Sequence, residues 1–114
     1  MASKKIMIGD KEVAFKATAA TPIYYRELFH REFMSDIKNL SEDFGNREED
    51  DLPIESLEIF LDIAYCMARQ ADSTIPEKMD WLDQFDIFSI YEILPIIIEL
   101  WGMNQTTMVG IKKK

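Results

Sequence analysis

The stretch that follows Pro53 restricts the fold more than any other part of this chain. Leu57, Phe60, Leu61, Ala64 and Ala68 recur at helical spacing, and Ile59, Ile63, Cys66 and Met67 widen that face until Glu55, Glu58, Asp62 and Arg69 are left as a narrow polar stripe. A helix this apolar cannot lie on a surface with most of its circumference in water. It requires neighbours on several sides, so the sequence predicts a bundle with this helix at its centre.

The rest of the chain supplies those neighbours. Thr21-Pro22 is a helix start: the threonine is placed to cap, and the proline takes the first helical position, where its missing N–H costs no bond. From there Tyr24, Leu28, Phe29, Phe33, Ile37 and Leu40 recur at three- and four-residue spacing, with Arg26, Glu27, Arg31, Glu32, Asp36 and Lys38 on the polar faces. Whether this helix breaks near His30 is not decided by the pattern. Pro76 repeats the start signal ahead of Trp81, Leu82 and Phe85. Pro95 falls inside a further apolar period, Ile87, Ile90, Tyr91, Leu94, Ile97, Ile98 and Trp101, and because the period continues beyond it a kink is expected rather than an end.

Ahead of the helices, Ile6, Ile8, Val13 and Phe15 alternate about Gly9-Asp10, the pattern of a hairpin whose short strands must lean an apolar face on the helices. Between Ser41 and Leu52 the periodicity gives way to Gly45, Asn46 and six carboxylates offset only by Arg47, which reads as a solvated acidic loop. Gly102 and Asn104 stop the last helix. The expectation is a mainly α fold, a compact bundle of about four to five helices with a short N-terminal β-hairpin. It forms a single domain over residues 1–104, followed by a flexible tail at 105–114.

Composition supports a packed core and narrows the function classes. With 114 residues, 47% of them hydrophobic, the chain is long enough to bury about two thirds of its unfolded surface. The net charge of −8 repels phosphate backbones and anionic lipid head groups, so neither nucleic acid nor membrane is expected as a partner. No apolar stretch is long enough for a signal-peptide core or a membrane helix, and the single cysteine, Cys66, cannot form an internal disulfide; a soluble protein of a reducing compartment is expected.

Chemistry-bearing residues are sparse. His30 is the only histidine and Cys66 the only thiol, so neither a Cys/His nucleophile pair nor a zinc site of Cys and His ligands can be assembled from one chain. The four glycines stand singly, which removes a phosphate-cradling loop. Glu48, Glu49, Asp50 and Asp51 are consecutive, whereas a calcium loop alternates its ligands around a central glycine. No catalytic residue, cofactor or metal is therefore expected. On the last helix Ser89, Glu92 and Glu99 define the solvent side, and Ile96 falls on the same line beside Ile93, Leu100 and Trp101; these four are the candidate partner-binding residues.

Three segments, KEVAFKATAATPIYYRELFHREF, ESLEIFLDIAYCMARQAD and WLDQFDIFSIYEILPIIIELWGMN, carry a resemblance to a known family. From about Lys5 to Asn104 the chain resembles the tail assembly chaperones of long-tailed bacteriophages and prophages of Gram-positive bacteria. The resemblance implies a non-enzymatic protein of the host bacterial cytoplasm, absent from the finished virion. Such a protein coats the tape measure protein, keeps it soluble, and helps recruit the tail tube (major tail) protein; self-association is left open. It also implies a longer form made by ribosomal frameshifting, for which an A-rich run encoding Lys112, Lys113 and Lys114 would be the place. The charge alone suggests an alternative from another class, an acidic nucleic-acid mimic that inhibits a host DNA-binding enzyme, although the densest acids lie in a glycine-containing loop rather than in ordered rows.

Overall fold

A computed structural model describes residues 2–46 and 54–101. Strands β1 (Ala2–Ile8) and β2 (Lys11–Ala17) pair antiparallel with Ile8 opposite Lys11, so Gly9 and Asp10 alone make the turn. Gly9 has φ +65, the left-handed backbone that the first position of such a tight turn requires, and a Cβ there would also come within 3.3 Å of Ser89 Oγ. The strands are longer than the four or five residues that the alternation alone marks out. Their inner face, with Ile6, Ile8, Phe15 and Ala17 buried, packs on the helices, β2 lying against the central one.

Five helices follow: α1 (Thr21–Phe29), α2 (Phe33–Asn46), α3 (Ile54–Ala71), α4 (Lys78–Leu82) and α5 (Ile87–Glu92). Residues 94–101 are helical again. The expected architecture, a mainly α bundle with an N-terminal hairpin, is the one found. At its centre is α3, which touches β2, α1 and α2 and buries every residue from Asp62 to Ala68.

Several local expectations are corrected by tertiary context. Thr21 does not cap α1: Ala20 holds that position, and Thr21 is buried. Its Oγ1 accepts from the Thr18 amide (2.8 Å) and donates to Gln70 Oε1 (2.7 Å), while Gln70 Nε2 donates to Thr18 Oγ1 (2.7 Å), so the hydroxyl ties the start of α1 to α3. The apolar period from Tyr24 to Leu40 is two helices rather than one. His30 ends α1 in a left-handed conformation (φ +59), its amide bonded to the Arg26 carbonyl at 2.7 Å, and α2 starts afresh at Phe33. In α1 it is Tyr25 that is buried, and Tyr24 and Leu28, expected on the apolar face, are exposed.

The acidic loop is shorter at its start than its composition suggests, since α2 continues through Gly45 to Asn46. Ser56 Oγ of α3 donates to Asp43 Oδ2, a cross-helix bond that offsets the poor helix propensity of this segment. The acidic cluster Glu48–Asp51, the start signal at Pro53, the helix stop at Gly102 and Asn104, and the tail 105–114 lie outside the described residues. Pro95 breaks its helix rather than kinking it. Ile93, itself in right-handed helical backbone, separates α5 from the 94–101 segment, and Pro95, unable to donate to the ladder, sits near the start of the new helix as Pro22 does in α1. The Ile97 amide bonds the Ile93 carbonyl at 2.9 Å and begins the new ladder.

Leu94, Ile97, Leu100 and Trp101 are buried, with Trp101 meeting the Phe33 ring edge-on at 4.8 Å. Trp81 gathers a second aromatic group: Tyr65 at 5.5 Å, Phe85 at 5.1 Å and Phe15 of the hairpin at 6.4 Å. Together the two tryptophans clamp the ends of the stretch from 81 to 101 onto α2, α3 and β2.

Candidate functional site: a charge-rimmed groove between the first two helices

The corner where α1 turns into α2 is held by a polar knot that the sequence hides. Asp62, on the buried flank of α3 rather than on the solvated stripe expected of it, has 5% of its side chain exposed. Its Oδ2 accepts from Arg31 Nη2 at 2.6 Å and its Oδ1 from Lys78 Nζ at 2.5 Å. Arg31 also donates through Nε to Asp36 Oδ2 (2.8 Å) and through Nη2 to the Tyr25 hydroxyl (2.7 Å), and that hydroxyl donates to Asp36 Oδ2 at 2.6 Å. The Arg31 guanidinium lies 5.5 Å from the Tyr25 ring centre and 5.8 Å from that of Phe29, while Lys78 Nζ lies 5.2 Å from the Phe29 ring. One arginine thus ties α1, α2 and α3, and one carboxylate adds α4.

The electrostatics make this knot a fixed clamp. Burial, then the hydrogen bond to Asp36, push the Tyr25 hydroxyl far above the ordinary tyrosine value, so it stays protonated. For Arg31 burial works against the charge, but the bonds to Asp36, Asp62 and Tyr25 outweigh it and raise its pKa, so it stays charged. Neither group changes its proton near neutral pH. The thiol of Cys66 is as inert: it is buried against the carbonyl of Thr21, and burial pushes it up to about 12.

With the corner fixed, the outer side of α1 and the start of α2 frame a depression of about 180 Å³ lined by Pro22, Ile23, Phe33 and Met34, with Arg26, Arg31 and Glu32 around it. Ile23 is 62% exposed and Met34 48%. The Arg26–Glu32 pair, at 3.3 Å and in solvent, borders it and leads into a wider polar hollow that reaches His30 and Asp36. An apolar centre within a charged rim is the anatomy of a surface that takes another chain. His30 lines the polar hollow as the left-handed residue of the corner.

The four residues singled out from sequence lie elsewhere. Ile93, Leu100 and Trp101 are buried and Ile96 is half-buried against the core, so the surface exposure for which they were chosen is corrected. The last helix lies deeper than its amphipathic pattern implies. Large apolar side chains that do reach solvent besides those of the groove include Met79, Ile87 and Phe88, on α4 and α5. No signal in the sequence marked Ile23 and Met34, because their exposure depends on how α1 and α2 pack on α3 around the knot at Asp62. Among the described residues no group of His, Cys, Asp and Glu is arranged to hold a metal, and no helix is long and apolar enough to cross a membrane. A scan against protein-family models and searches of curated proteins and of solved structures return no match, so the role of the groove rests on its own chemistry.

Proposed function

We propose that this protein is a tail assembly chaperone of a long-tailed phage or prophage. It binds the tape measure protein through the α1–α2 groove, keeps it soluble in the host bacterial cytoplasm, and helps recruit the tail tube protein without entering the finished virion. The observation that supports this reading is the coincidence, in one concave surface, of exposed Ile23 and Met34 with the Arg26–Glu32 rim. A long helical client presents apolar stripes that aggregate unless covered. A shallow groove with an apolar floor receives such a stripe at helical spacing, and a polar rim keeps the complex in solution. Methionine suits the task because its unbranched side chain adapts to successive segments of a client. The net charge of −8 keeps many bound copies soluble along one client. Binding of this kind needs no turnover, and the protein acts as a carrier rather than an enzyme.

Co-expression of the full chain with a helical fragment of the tape measure protein encoded beside it provides the test. The fragment stays soluble and co-purifies with the wild-type chain, and the double variant Ile23→Asp, Met34→Asp leaves it in the pellet while keeping its own helical circular dichroism. No association at micromolar concentration would sink the proposal. Competition with DNA for a basic host protein would favour the nucleic-acid mimic instead.

A further inference from the structure

The hairpin differs in charge from the rest of the molecule. Residues 1–17 hold Lys4, Lys5, Lys11 and Lys16 against Asp10 and Glu12, a net +2 within a chain of −8. Three of those lysines, Lys4, Lys5 and Lys16, line an open depression of about 480 Å³ together with Ser3 and Ala14. None of the three is in an ion pair among the described residues; the pairs present join Arg26, Arg31 and Lys78 to Glu32, Asp36 and Asp62. In an acidic protein, lysines without carboxylate partners are carboxylate receptors left free; here Lys5 and Lys16 take the outer face of the sheet and Lys4 the face that carries Phe15.

The same strand offers backbone. Among the described residues the sheet has two strands, and β1 is paired on one side only, by β2, which itself lies against α3. The other side of β1, along Ala2–Ile8, carries no strand among those residues, although α5 touches β1. An edge of that length presents a row of main-chain donors and acceptors that pairs with an added strand unless something prevents it. Lysines on the edge set which strand is accepted. A second β1 would bring Lys4 and Lys5 against their own kind, whereas an acidic strand places carboxylates about 5 Å from Lys5 on the outer face.

We propose that the free edge of β1 takes up an extended acidic peptide segment as a third strand, with Lys4 and Lys5, one on each face of the sheet, holding its carboxylates. The hairpin supplies no residue to the α1–α2 groove, so this surface works independently of it. The affinity comes from the main chain and the selectivity from charge, and binding weakens with salt because Lys4 and Lys5 are in solvent.

The test uses the full chain and a labelled synthetic peptide of alternating Glu and Thr, with a Lys and Thr peptide of equal length as control, followed by fluorescence anisotropy and amide hydrogen exchange. Expected are binding of the acidic peptide alone, slowed exchange of β1 amides on binding, and a loss of about tenfold or more in affinity for Lys4→Glu, Lys5→Glu. The Ile23→Ser variant, altered only in the groove, binds the peptide as the wild type does. Equal binding of the basic peptide, binding without protection of β1, or no binding up to about 1 mM would overturn the proposal. So would a concentration-dependent dimer that protects β1 without peptide, which would assign the edge to a second copy.

Discussion

Helix α3 and the α1–α2 corner are both rich in apolar residues and both amphipathic in sequence, yet the middle of one is buried on all sides and the other leaves Ile23, Tyr24, Leu28 and Met34 in water. From Asp62 to Ala68 every residue of α3 is buried, while α1 buries only Thr21 and Tyr25. Neighbours, rather than composition, account for the contrast. β2, α1 and α2 all pack on α3, whereas α1 and α2 have α3 on one side and nothing described over Ile23 and Met34. An apolar residue marks an interface only after the phase of its helix and the covering of that face are known.

Substitutions can break this contrast in graded steps. The largest effect is expected at the centre of the bundle: Phe60 is wholly buried, and Phe60→Ala should cost about 3–5 kcal/mol in chemical denaturation, from lost burial and the cavity left behind. Next comes the knot that joins the two regions. Asp62→Ala leaves Arg31 and Lys78 without their shared carboxylate, but both reach water, so the loss should be about 2 kcal/mol rather than the full cost of a buried orphan charge. Its further signature is a loosened corner, read as faster amide exchange in α1 and the start of α2 with α3 unaffected.

The corner itself carries a smaller, opposite effect. His30 holds a left-handed backbone without being glycine, and His30→Gly should raise stability by up to about 1 kcal/mol. A loss of stability there would show that the imidazole makes a contact beyond the backbone turn. The smallest change is expected in the groove, where Ile23→Ser should stay within about 0.5 kcal/mol of the wild type, because the side chain is already in solvent. A larger loss would mean that Ile23 belongs to the core, and the contrast between the two regions would fail.

How much could be read in advance follows the range of the forces involved. The hairpin turn at Gly9-Asp10, the helix start at Pro22 and the central position of α3 are signals within a few neighbouring residues, and they are found where expected. The candidate site was not legible. Arg31, Asp36 and Asp62 look like ordinary solvated charges in sequence, and their convergence with Tyr25 brings together residues as far apart as 31 positions. Ile93, Leu100 and Trp101 failed as surface residues for a related reason: a polar side on a helix shows that one side meets water, but not how deep the remainder lies.

By itself the sequence determined the class of fold, the order of its main elements and the acidic balance, because hydrophobic period, turn chemistry and charge are local properties that burial acts on directly. The tertiary structure alone decided which apolar residues stay outside. That choice was made by the left-handed residue at His30, which ends α1 and lets α2 start afresh, and by one buried carboxylate on α3 that binds Arg31 of the corner. Both couplings are set by packing between elements, and no window of neighbouring residues contains them.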